Sequence, residues 1–172
     1  MRFLILFLLL YGCTEKIKPV NRNYFDISGF FKKEAARLND AGTGIIKSVE
    51  TNDSNEVQTF DSINWMYELR PFIECDINKP AWSNSYKTDT ISDHDVLSVI
   101  YTATEDIPFK KVQIRVKAGV IHSVEIWKQR KNIYYNISEH YTYSPAGYTI
   151  SGGQKVRFLD KTEFIISATF KS

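Results

Sequence analysis

The chain has 172 residues, 14% of them aromatic, with 22 Lys and Arg against 20 Asp and Glu for a formal charge of +2. So even a charge balance gives no electrostatic reason to expect nucleic acid, and the aromatic content excludes a disordered polymer. The length suits one domain with a real core.

The N-terminus supplies an address. Arg2 is a minimal positive region, and Phe3 to Leu10 is an unbroken apolar run. That run is far short of the ~20 residues of a membrane span but fits the roughly 7–15 of a secretory signal. Leu10-Tyr11-Gly12-Cys13 closes it and resembles the bacterial lipobox, in which a small residue precedes an invariant cysteine that is lipidated before cleavage. The resemblance implies that residues 1–12 are a signal peptide and that Cys13 becomes the lipidated first residue. It also implies attachment to a membrane of the bacterial cell envelope. Thr14 is not the aspartate associated with inner-membrane retention, so the outer membrane is favoured.

Residues 13–23 are polar, contain Pro19 and show no period, and read as a tether. Its ten residues after Cys13 reach roughly 17 Å as a coil and about 35 Å at full extension. Residues 24–172 form a single α+β domain in this reading. Ile27, Phe30, Phe31, Ala35 and Leu38 follow helical spacing, with Asp26 or Ser28 as cap and Asn39-Asp40-Ala41-Gly42 as stop. A small hairpin is expected over 43–51 and 56–60. A second helix is expected over 62–73, capped by Asp61, with Trp65, Met66, Leu69, Phe72 and Ile73 on one stripe. Pro71 should kink or end it. Cys75 follows and reads as a buried, inert thiol, because with Cys13 lipidated it has no disulfide partner.

From Tyr86 the period becomes two. Strands are expected over 85–91, 96–104, 109–117, 120–128, 133–143, 148–159 and 164–171, separated by short turns that force antiparallel pairing. The predicted architecture is a curled antiparallel meander of about six to eight strands, with two N-terminal helices packed on one face. A three-residue loop Lys117-Ala118-Gly119 would pair Val112 with Val124, Ile114 with His122, Lys111 with Glu125 and Phe109 with Trp127. The closing hairpin would set Phe158 against Phe164 and Val156 against Ile166. Gly152-Gly153 inside a strand predicts a bulge or bend. A helix-wrapped curled meander looks like the half-barrel of periplasmic lipid carriers, or like the cone of the nuclear-transport-factor type.

Motifs of chemistry are missing from the sequence. His94, His122 and His140 stand on different elements without metal-ligand spacing, and Asp93-His94-Asp95 reads as a polar turn. There is no G-x-S-x-G and no phosphate loop, so neither a cofactor nor a catalytic centre is expected. His122 falls on the core face of the predicted register, while His140 faces outward. Tyr135, Tyr141 and Tyr143 share the core face of their strand. Tyr134, Trp127 and His140 share the other, and these three are the expected ligand-binding residues.

The sequence therefore predicts a lipid-anchored, non-catalytic binding or interaction module. Its partner would be an envelope protein or a small apolar or sugar ligand. Two alternatives stand beside it, a periplasmic carrier of apolar ligands and a membrane-anchored enzyme. An apolar cavity between helices and sheet would favour the carrier, and a convergent histidine–carboxylate cluster would favour the enzyme.

Overall fold

A computed structural model of the protein describes residues 23–171. The expected signal peptide, Cys13 and the expected tether up to residue 22 lie outside the described residues. Helix α1 (Ile27–Asp40) begins at Asp26, whose Oδ1 accepts the Gly29 N–H at 3.0 Å. Ile27, Phe31, Ala35 and Leu38 form its buried stripe, at the spacing the sequence predicts.

The expected second helix is broken in two. Helix α2 (Trp65–Glu68) and helix α3 (Arg70–Ile73) meet at Leu69. Pro71 has no N–H for the carbonyl of Tyr67, and its ring crowds the preceding turn, so a continuous helix cannot form there. The cap is Asn64, whose Oδ1 accepts the Tyr67 N–H at 3.1 Å, while Asp61 pairs with Lys171 at 2.5 Å. A single 3-10 turn, Pro80–Trp82, leads into the sheet.

All strands among the described residues join one antiparallel sheet. They are β1 (Ile45–Thr51), β2 (Asn55–Phe60), β3 (Tyr86–Asp93), β4 (Val96–Ala103), β5 (Phe109–Lys117), β6 (Val120–Lys131), β7 (Tyr135–Ser144), β8 (Gly147–Val156) and β9 (Thr162–Phe170). Their order is β2-β1-β9-β8-β7-β6-β5-β4-β3. The meander of seven strands is as expected, but the early hairpin is not separate from it. β1 pairs along its whole length with β9, from Ile45 opposite Phe170 to Thr51 opposite Phe164. Among the described residues the protein is thus largely β, nine strands with three short helices, which corrects the α+β description with two helices and about six to eight strands.

Two registers also differ from expectation. The β5–β6 turn holds two residues, Ala118 (φ 50°) and Gly119 (φ 78°), both left-handed as a type I′ turn requires. Val116 then faces Ile121 and Arg115 faces Ser123, so His122 is the extra residue of a bulge and is exposed rather than buried in the core. Beyond the bulge Val112 faces Ile126, Gln113 faces Glu125 and Lys111 faces Trp127. The slip from the predicted pairing is two residues, which preserves the faces, and Val112 is fully buried. A second irregularity between Phe109 and Lys111 turns Phe109 inward.

In the closing hairpin Phe164 lies opposite Gly152 and Ile166 opposite Ile150, while Phe158 is exposed in the turn. A Cβ on Gly152 would stand 2.7 Å from Cζ of Phe164. The ring fills the space that the missing side chain leaves, and this fit fixes the register where a Phe158–Phe164 pair would not. The β5–β6 turn yields a direct check. Ala118→Asn, a residue that tolerates the left-handed region, should raise stability by up to about 1 kcal/mol in a denaturant melt, since that region costs most L-residues roughly 1–2 kcal/mol. A loss of stability would rule out the two-residue turn.

Candidate functional site

The helices cover one face of the sheet and fill it with rings. Phe31 of α1 and Phe72 of α3 lie 4.8 Å apart, and Phe31 meets Tyr143 of β7 edge-on at 5.0 Å. The Tyr143 hydroxyl donates to Glu34 of α1, and the Tyr148 hydroxyl donates to Glu68 of α2. Burial first, and then these bonds to carboxylates, push both phenols well above their ordinary range, so they remain neutral donors. Burial also raises the Glu34 carboxyl, but its bonds from Arg37 and Tyr143 outweigh that and hold it below the usual value. Tyr141 and Tyr143 sit on the core face, as alternation predicts.

What opens at the rim of the helices is a polar cleft of about 500 Å³. Its charges are largely paired: Lys47 with Glu68 at 2.8 Å, Arg70 with Glu74 at 2.7 Å, and Lys128 with Glu139 at 2.7 Å. Cys75 borders the cleft but is buried, and its Sγ donates to the Pro71 carbonyl at 3.1 Å. Burial pushes this thiol up to about 12, with a smaller opposing pull from Lys128.

The opposite face carries no helix, and a groove of about 620 Å³ lies on it. Strand register explains the depression. Ser138 faces Gly153 and His140 faces Ser151, so the middle strands β7 and β8 offer mostly small side chains. Longer ones rise on either side: Lys110, Trp127 and Gln129 on β5 and β6, and Lys161, Glu163 and Ile165 towards β9. Trp127 and His140 are directly opposed and stack, with centroids 4.6 Å apart at 19°. Lys111 Nζ sits 4.6 Å from the centre of the same indole. With a cation from β5 and an imidazole from β7 against it, Trp127 is held in place. The side of His140 towards Ser151 is left to border the groove.

Glu125 anchors this row from the next position along β6. It pairs with Arg115 and lies 3.3 Å from Nε2 of His140, which is the ring nitrogen turned away from water. Lys111, expected opposite Glu125, is over the indole instead. Among the described residues no hydroxyl or thiol donates to His140, and its Nε2 approaches Glu125 at 3.3 Å without forming a hydrogen bond. His94 meets Asp93 on an exposed turn, and no group of three or more metal-binding side chains occurs among the described residues.

Of the three expected binding residues, the structure brings Trp127 and His140 together and leaves Tyr134 out. Tyr134 is 62% exposed in the β6–β7 turn, its N–H bound to Asn132 Oδ1. Sequence reasoning missed the groove itself, which is made by Ser138, Ser151 and Gly153. Their signal was present in the glycine pair but needed the β7–β8 register to be read. Compared with known proteins, the chain matches no family model, no curated protein and no solved structure.

The buried thiol gives a test of the helical face. Cys75 should resist iodoacetamide at pH 9, where an exposed cysteine of ordinary pKa is largely thiolate, and should react fully once the protein is unfolded in denaturant. Rapid alkylation of the native protein would mean that α3 does not seal the core.

Proposed function

We propose that the chain is a lipid-anchored lipoprotein of the bacterial cell envelope that binds a polar, sugar-sized ligand on its helix-free sheet face, without catalysis. One observation carries the binding part. The face covered by helices is filled with interlocked rings, whereas a groove of about 620 Å³ lies on the face that none of the described helices covers, and Trp127 and His140 are on it. Its lining mixes small hydroxyls, an aromatic row and both charge signs, from Lys110 and Lys161 to Glu163. Such a lining suits a neutral, hydroxyl-rich ligand better than a hydrocarbon.

The carrier reading needs an apolar cavity between helices and sheet. The cleft there is bordered by ion pairs, which speaks for binding on the other face. The anchor rests on Leu10–Cys13 and on the tether that follows. No helix of the described residues is long and apolar enough to cross a membrane, so a lipid on Cys13 would be the attachment.

Two experiments follow. Cell fractionation should leave the wild-type protein in the salt-washed membrane pellet and release Cys13→Ala; both in the pellet would refute the lipid anchor. For the groove, N-acetylglucosamine oligomers titrated against tryptophan fluorescence should give saturable binding. His140→Ala should weaken it at least tenfold with an unchanged circular dichroism spectrum. No binding by any oligomer, or equal binding by the variant, would discard the sugar reading.

A further inference from the structure

One end of the sheet is built unlike the other. The strand registers place the start of β3, the end of β6, the start of β7, the end of β8 and the start of β9 at the same end. There the β6–β7 and β8–β9 turns lie side by side, joined by the Arg157 N–H donating to the Tyr134 carbonyl at 2.8 Å. Lys128 is the last residue of β6 opposite β5, and three further residues carry β6 beyond it. β8 likewise runs two residues past Gln154, its last partner on β9. The two turns therefore project about 7–10 Å beyond the flanking strands.

These projecting tips carry the two most exposed large apolar side chains among the described residues, Phe158 and Ile133, together with Tyr134 and Leu159. Phe158 is 90% exposed, Ile133 74%, Tyr134 62% and Leu159 62%. Phe158 is held at φ 69°, a left-handed conformation that a bulky residue adopts at a cost, yet its ring meets only the Arg157 guanidinium, 4.9 Å away. In segments 129–135 and 155–160 the four apolar residues are flanked by Arg130, Lys131, Lys155 and Arg157, against Asp160 as the one acid, while the next residue, Lys161, is paired with Glu163. Such a cationic collar around an apolar tip suits the headgroup region of an anionic bilayer, where rings and aliphatic chains enter and lysine and arginine stay at phosphate level.

The position of the N-terminus agrees. Asn23 donates to the Ser83 carbonyl and Tyr24 packs on Tyr86, which places the first described residues at this same end. The C-terminal residue of β9, Phe170, is at the opposite end, opposite Ile45. Asn23 lies ten positions after Cys13, and the reach of ten residues, roughly 17–35 Å, exceeds the projection of the tips. We infer that the protein stands on an anionic membrane surface through the Ile133–Tyr134 and Phe158–Leu159 tips, which enter the lipid interface and fix the domain's orientation. This rests on the membrane anchorage proposed above, and it adds a second contact to the lipid.

The test uses the lipidated full-length protein in vesicles of phosphatidylethanolamine and phosphatidylglycerol. An environment-sensitive dye is placed on Phe158→Cys, with Ile91→Cys at the opposite end as control; Cys75 is buried and does not compete. The dye at 158 should shift to the blue and be quenched by brominated lipid, while the dye at 91 keeps a water-like spectrum. Water-like spectra at both sites would overturn the inference while leaving the anchor intact. Should the Cys13 anchor itself fail in fractionation, the labelled protein is added to preformed vesicles. In a Cys13→Ser background, a blue shift of a dye on Ile133→Cys that the Phe158→Ser, Leu159→Ser pair abolishes would sustain tip insertion alone, and the absence of any shift would reject it. Quenching by a bound protein in place of lipid, seen as a shift only when an envelope extract is added, would also reject it.

Discussion

The structure depends on the seating of α1 and α3 against β7. Phe31, Phe72 and Tyr143 interlock there, and the Tyr143 hydroxyl ties Glu34 to the sheet. Each aromatic contact of this kind contributes roughly 0.5–1.5 kcal/mol beyond the area it buries. The bond to Glu34 matters for a second reason, because a half-buried carboxylate without its donors would oppose folding. Because these helices need one face of the sheet, the other carries no helix among the described residues, and the proposed binding face follows from that asymmetry.

The second tyrosine–carboxylate pair repeats the device. Tyr148 reaches Glu68, which also holds Lys47 of β1, so α2 is tied to both β8 and β1. In this way the early hairpin, which alone would be marginal, is welded to the last strand. Trp65 completes the joint: its indole N–H donates to the Thr43 carbonyl and its ring meets Phe170 at 4.9 Å. Away from the cleft at its rim the helical face is closed, with the Tyr143 and Tyr148 hydroxyls and the Trp65 indole N–H spent on holding helices.

Much of this was legible from residues alone. The stripe of α1, its Asp26 cap and the seven strands of the meander follow from spacing and turn chemistry. The assignment of Val112, Tyr141 and Tyr143 to the core follows from alternation. The failures have separate physical causes. The second helix starts at Trp65 behind an Asn64 cap, not at Ser62 behind Asp61, because Asp61 is engaged by Lys171. Its break at Leu69 is the one Pro71 foretells. The bulge at His122 moved one histidine out to water, a local event that no period of two encodes. The union of β1 with β9 joins residues more than a hundred positions apart, and short-range patterns carry no information about such a contact. Trp127 and His140 were legible as sharing a face. Their stacking, and the hollow beside them, required the register of β6, β7 and β8.

The central claim is that one face of the sheet is core and the other is free to bind. Denaturant melts of Tyr143→Ala and Trp127→Ala, measured side by side, test it most directly. Tyr143→Ala should lose about 3–5 kcal/mol, the cost of emptying a buried aromatic site. Trp127→Ala should stay folded and lose less than about 2 kcal/mol, since its half-buried ring leans on neighbours without supporting a helix. Equal and severe losses in both variants would contradict the account, because Trp127 would then belong to a core and the face would not be free.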